Sequence, residues 1–111
     1  MTLRNSATDW PTVAHYYRLL EEVKPTPVVR LNAAIAAAYA DGPAVGLARL
    51  DTLVDAGKLA RYALYHAARG ALLLRLDRRM EAAEAIDRAL ACPLNAPERA
   101  HLERRRRDCR E

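Results

Sequence analysis

Phenylalanine is absent, tryptophan occurs once and tyrosine five times, so aromatic rings make up only 5% of the 111 residues. A core drawn from a hydrophobic share of 51% must therefore be filled by alanine and leucine, which suits closely packed helices better than sheets. Nowhere do apolar and polar residues alternate with the period of two that marks a half-buried strand, and the expected fold class is all-α. No apolar run approaches the ~20 residues needed to span a bilayer, and the N-terminus lacks the basic-then-apolar order of a signal peptide. A soluble, cytoplasmic chain without membrane contact is the expectation. Cys92 and Cys109 are the two cysteines, and no disulfide is expected of them. A helical domain with a sufficient core needs no staple, and reducing cytoplasm keeps thiols free.

The length fits one domain, expected over residues 9–108 behind a disordered tail at 1–8. The formal charge of +4 is spread out. Residues 98–111 hold six arginines against four acids, and the remaining chain holds twelve basic against ten acidic residues.

Helix starts and stops are written clearly enough to place six helices. Asp9 caps the first, opened by Trp10-Pro11, with Val13, Tyr17, Leu20 and Val23 as its apolar stripe and Lys24-Pro25 as its end. Thr26 caps a second with Pro27 at its first position, running to Asp41-Gly42. Pro43 opens a third, where Leu47, Leu50, Leu53 and Val54 recur at helical spacing before Gly57. A fourth covers about residues 61–76, with Leu64, Ala68, Leu72 and Leu76 or their neighbours turned inward, and Asp77-Arg78 makes a tight turn. The fifth, about 79–91, presents Ala82, Ile86, Ala89 and Leu90 and stops at Pro93. Asn95 caps the sixth, with Pro97 and Glu98 in its first turn, where a missing amide and a negative charge suit the helix dipole.

Helices two and three resemble helices four and five. Setting Asn32 against Gly70 gives an offset of 38, under which Ala44 matches Ala82, Ala48 matches Ile86 and the two turns agree within two residues. The second pair follows the tetratricopeptide (TPR) pattern: Gly70 and Ala82 are small residues where two helices cross closely, followed by Ile86, Ala89 and Pro93. The offset exceeds the ~34 residues of that repeat, with the surplus around residues 55–61. His66 stands where the pattern has an aromatic and Asp77 where it has its turn glycine. The expected architecture is a TPR-like right-handed helical repeat, two pairs with capping helices at either end.

A more specific resemblance is carried by Thr8-Asp9-Trp10, Tyr17-Arg18-Leu19-Leu20, Thr26-Pro27-Val28-Val29, Leu31-Asn32-Ala33-Ala34, Asp41-Gly42-Pro43, Gly46-Leu47, Leu50-Asp51, Tyr65-His66-Ala67-Ala68-Arg69 and the stretch from Asn95 to Arg99. In this order and spacing they resemble the C-terminal extension of one group of extracytoplasmic-function sigma factors, bacterial transcription factors in which a TPR-like domain follows two DNA-binding regions. The resemblance covers nearly all of residues 8–107. It implies a protein-protein interaction domain that regulates transcription initiation by contact with the sigma DNA-binding regions or with RNA polymerase. No helix-turn-helix fits in the chain, so no promoter reading is expected of it. Where the family often has Ala-Asp after its His-Ala-Ala-Arg stretch, this chain has Gly70-Ala71.

Catalysis requires a nucleophile with a base in reach, or titratable groups held together, and the spacing on these helices suggests neither. No catalytic residue, cofactor or metal is expected: His15, His66 and His101 fall on three helices, and Cys92, His101 and Cys109 lack the close paired spacing of zinc ligands. Gly42 to Gly46 has no Gly-Lys-Ser/Thr ending and follows no strand, so it is not a phosphate loop. Arg104 to Arg107 point around the helix rather than along one stripe and are interleaved with acids, so nucleic-acid contact is not expected.

Binding through the concave face of the second and fourth helices is the habit of such repeats. Here that face holds Val29, Ala33, Ala36, Ala37, Ala67, Ala71 and Leu74, which should bury against the chain's own first helix and cap or against a partner. The polar exceptions Asn32, Tyr39, Arg69 and Arg75, together with Tyr65 and His66 at the helix crossing, are the candidate partner-binding residues. Asn32 and Arg69 lead that set, with a buried Asn serving a neighbouring backbone group as the structural alternative. A scaffold that self-associates as a homodimer is the second reading. A small enzyme or ligand carrier, resting on His66 and the tyrosines, is the third.

Overall fold

The computed structural model describes residues 9–53 and 58–110. The order is α1 (Trp10–Val23), α2 (Pro27–Asp41), α3 (Pro43–Asp51), a 3-10 turn (Lys58–Arg61), α4 (Ala63–Arg75), α5 (Arg79–Leu90) and α6 (Ala96–Asp108), with no strand among the described residues. The tail expected at 1–8 lies outside them, as do Val54 and Gly57.

The helix ends form where capping chemistry places them. The Asp9 carboxylate accepts the Thr12 N–H, the Thr26 hydroxyl accepts the Val29 N–H, and Asn95 and Glu98 satisfy each other's backbone N–H groups in a reciprocal box. Proline stands in the first turn of α1, α2, α3 and α6, where a missing N–H costs nothing. Asp77 closes α4 at φ 60°, a left-handed backbone in which a Cβ is strained. Its ion pair with Arg79 is solvent-exposed and contributes little. Asp77→Gly is therefore expected to raise unfolding free energy by about 0.5 kcal/mol in denaturant titration, and a loss would show the ion pair outweighing the strain.

Two helices differ from the sequence reading. The third ends at Asp51 rather than near Gly57, although Leu53 beyond it is still buried. The fourth begins at Ala63 rather than 61, because Lys58–Arg61 wind as a 3-10 turn and Tyr62 is extended at φ −98°, ψ 108°. Its buried face is accordingly Tyr65, His66, Gly70, Leu72 and Leu73, while Leu64 points outward.

Leu31, Leu50, Leu73 and Ile86 are the largest fully buried side chains, in one core that runs from α2 to α6 and takes in Leu102 and Cys109. The crossings explain the alanine-rich composition. A Cβ on Gly70 would meet Ile86 Cγ1 at 2.6 Å and the Ala82 carbonyl at 3.4 Å. A Cβ on Gly46 would overlap the Ala38 Cβ and lie 2.9 Å from the Ala38 Cα and 3.1 Å from the Ala34 carbonyl. The matching small residues of the two pairs are thus Ala34 with Gly46 and Gly70 with Ala82.

On these crossings the two helix pairs align at an offset of 36 rather than 38. At 36, Ala34 falls on Gly70 and Gly46 on Ala82, Asp41 on Asp77, and the first residue of α3, Pro43, on that of α5, Arg79. The fully buried Leu50 falls on the fully buried Ile86. Continued once more, the register places Ala37, Leu73 and Cys109 together, all buried. Two ion pairs join successive helices in a similar way: Asp51 on α3 pairs with Arg69 on α4 at 2.9 Å, and Asp87, 36 residues on, pairs with Arg106 on α6 at 2.8 Å, one residue beyond the position that matches Arg69.

α1 stands apart from the core and packs on α2, contributing Ala14 as its one buried residue. Ala33, Ala36 and Ala37 of α2 are buried as well. Of the two fates open to that alanine face, burial within the chain is the one realised along α2.

Candidate interaction site

The short 3-10 turn folds back over the start of α4 because His66, buried in the first turns of that helix, bonds through Nε2 to the Ala60 carbonyl at 2.6 Å. Beside it the end of α3, the 3-10 turn, α4 and the end of α5 enclose a cleft of about 860 Å³. Leu53, Leu59, Ala85 and Pro93 supply apolar wall, and Asp51, Arg61, Arg69 and Arg88 supply the charge.

Tyr65 lies at the base. It is buried, its ring meets His66 edge-on with centroids 5.0 Å apart, and its hydroxyl donates a long 3.5 Å hydrogen bond to the Leu50 carbonyl. Burial pushes the phenol above its ordinary pKa; the positive charges of Arg69 and Arg88 pull it down and Asp51 pushes it up, so these three charged groups converge on that ring. Arg69 is held through Nε by the Asp51 carboxylate at 2.9 Å. Arg61 and Arg88 make no ion pair among the described residues.

Tyr65, His66 and Arg69 are thus brought together, whereas the other three sequence candidates are elsewhere. Asn32 is half-buried on α2. Tyr39 lies near the C-terminal end of α2 and stacks on Trp10 of α1 at 4.3 Å between centroids, which uses one ring face and leaves the side chain 57% exposed. Arg75 is exposed in the last turn of α4. The partner-binding set therefore does not form one surface. Tyr65 and His66 are largely spent on internal packing and hydrogen bonds, which leaves Arg69 as the member of the trio with guanidinium nitrogens to spare.

Two features were missed from sequence. Asp51, Arg61 and Arg88 belong to the cleft but lie on separate elements, and no local motif joins them. On α1, Tyr16 and Leu19 are exposed, and Val23, expected in the apolar stripe, is exposed with them, whereas Val13, Tyr17 and Leu20 of that stripe are half-buried. Spacings of three and four residues put the exposed three on one stripe flanking the core-facing one, a signal that was legible in the sequence. Val28, at the start of α2, is exposed as well. The outside of α6 is different: Glu103, Arg104, Arg107 and Asp108 are exposed and charged.

Cys92 and Cys109 are free thiols, each donating to the carbonyl four residues earlier, at 3.4 and 3.5 Å. Among the described residues no three His, Cys, Asp or Glu side chains gather as a metal site, and no helix is long and apolar enough to cross a membrane.

No family model matches the chain, and no solved structure matches it. Over 99 residues, 89% of its length, it is 41% identical to a protein of Rhizobium meliloti (strain 1021) named Uncharacterized protein R00370. The matched stretch is 23% of that protein, so the chain spans about a quarter of the length of this relative.

Proposed function

We propose that this chain is a TPR-like interaction module that regulates a sigma factor in bacterial transcription initiation, acting in the cytoplasm by contact with the sigma DNA-binding regions or with RNA polymerase. The observation that carries the docking part of this reading is the unlikeness of the two ends. The charged exterior of α6 is what a repeat needs where it meets solvent, whereas Tyr16, Leu19 and Val23 leave Val23 77% exposed and Tyr16 59% exposed on α1. A second helical surface laid on that stripe would cover it. The TPR-like description is favoured by the 36-residue register and by small residues at both crossings. The longer relative accords with a module that also occurs as one part of a larger chain. The sigma-factor assignment itself rests on the ordered motifs from Thr8 to Arg99.

No catalytic role is proposed. The self-associating scaffold loses part of its basis, since Ala33, Ala36 and Ala37 are covered within the chain; the α1 stripe would have to serve instead. Mixing the chain with separately expressed DNA-binding regions of an extracytoplasmic-function sigma factor should give a one-to-one complex in sedimentation. Absence of a complex at high micromolar concentration, with the chain alone forming a concentration-dependent dimer, would favour the scaffold.

A further inference from the structure

The cleft at the end of α3 and the start of α4 lies apart from the α1 stripe, and the argument for its ligand does not depend on the regulatory reading. Among the described residues, three guanidinium groups, Arg61, Arg69 and Arg88, and one carboxylate, Asp51, line this cleft of about 860 Å³, a volume in the usual range of ligand sites. That carboxylate is already engaged with Arg69 through Nε at 2.9 Å. An arginine held at Nε keeps its terminal nitrogens available in a fixed plane, which is the arrangement a second carboxylate meets best. Arg69 is also the less exposed partner, its side chain at 24% against 50% for Asp51, so less ordering remains to be done on binding. Arg61 and Arg88 add charge at the rim, and the Tyr65 hydroxyl below makes only a long bond to Leu50.

The walls argue for the kind of anion. Leu53, Leu59, Ala85 and Pro93 offer apolar surface beside the charges, which suits a chain alternating carboxylate and aliphatic side chains. A nucleic acid would use exposed aromatic faces to stack its bases, and the two rings here, Tyr65 and His66, are buried. We infer that this cleft is a docking site for an acidic peptide segment, with Arg69 and Arg88 taking its carboxylates and the aliphatic wall taking its intervening side chains.

The test is fluorescence anisotropy of the full chain with three labelled probes: a hexapeptide alternating Glu and Leu, its Gln and Leu counterpart, and a single-stranded oligonucleotide of the same charge as the first. Saturable binding of the Glu peptide is expected, at least about tenfold tighter than the Gln peptide and weakened by added salt. Arg61→Glu and Arg88→Glu, both at exposed positions, should each weaken it about tenfold or more with the melting temperature unchanged, and Arg104→Glu, the same charge change on α6, should leave it within about twofold. Three results would overturn the inference: no saturation at about 1 mM, equal loss in the Arg104 variant, or tighter binding of the oligonucleotide than of the peptide.

Discussion

Gly46→Ala should cost about 2–4 kcal/mol of unfolding free energy, one methyl group notwithstanding, and lower the melting temperature by about 10 °C or more. The new Cβ would overlap that of Ala38 and sit 2.9 Å from the Ala38 Cα and 3.1 Å from the Ala34 carbonyl. Two of those three neighbours are backbone, so relief requires α2 and α3 to move apart. Such movement would loosen Leu47 and Leu50 beside them, both buried. The better helix propensity of alanine, worth about 1 kcal/mol, offsets only part of this. Gly70→Ala is the informative contrast, because the group it strikes is the Ile86 side chain, at 2.6 Å from Cγ1, and not backbone. Its expected cost is about 1 kcal/mol. Denaturant titration of both variants checks the ranking. Equal losses, or a neutral Gly46→Ala, would mean that α2 and α3 do not cross as closely as described.

Ile86→Ala should be comparably damaging for the opposite reason. Ile86 is wholly buried, in the face of α5 that closes on Gly70, and removing three carbons leaves a hole that a crossing this tight cannot collapse. A loss of about 3–4 kcal/mol is expected. The two sites are in contact and must couple. With Cγ1 gone, the methyl of Gly70→Ala meets space instead of Ile86 and brings its helix propensity. In the Ile86→Ala background the glycine substitution should therefore become neutral or stabilising, with a coupling of about 1–2 kcal/mol in the double-mutant cycle. Additive losses would contradict the contact.

These crossings show what could and could not be read from the chain. Helix ends were legible because they are local: Asp9, Thr26, Asn95 and the prolines that follow cap their helices through partners within three residues. The likeness of the two helix pairs was legible, but the close crossings align them at an offset of 36 rather than 38. Asn32 was set against Gly70, whereas the residue at the equivalent crossing is Ala34, and Gly46, weighed only as part of a glycine stretch that is not a phosphate loop, is the close-approach residue of α3. An alanine-rich helix offers several small residues as candidates, and only the partner helix selects among them. On α1 the apolar arc is wide enough to contain two stripes, so periodicity grouped the exposed Val23 with the half-buried Val13, Tyr17 and Leu20 and left Tyr16 and Leu19 unassigned. The cleft was out of reach, because Asp51, Arg61, Arg69 and Arg88 meet only once α3, α4 and α5 have packed. His66, read as a residue of the helix crossing, is buried there and bonds to the Ala60 carbonyl, but the 3-10 turn it anchors lies in what the sequence offered only as the surplus connection around residues 55–61.

On the function proposed here, the α1 stripe is the surface that meets a partner. Its most direct test is calorimetric titration of the chain, and of its Leu19→Glu/Val23→Glu variant, into the DNA-binding regions of an extracytoplasmic-function sigma factor. Both positions are exposed, so the variant should keep the parent melting temperature. The account predicts measurable association for the parent and a loss of about tenfold or more for the variant, since two charges would be carried into an apolar contact. Association that is indifferent to the double substitution, or none for the parent at high micromolar concentration, would contradict it.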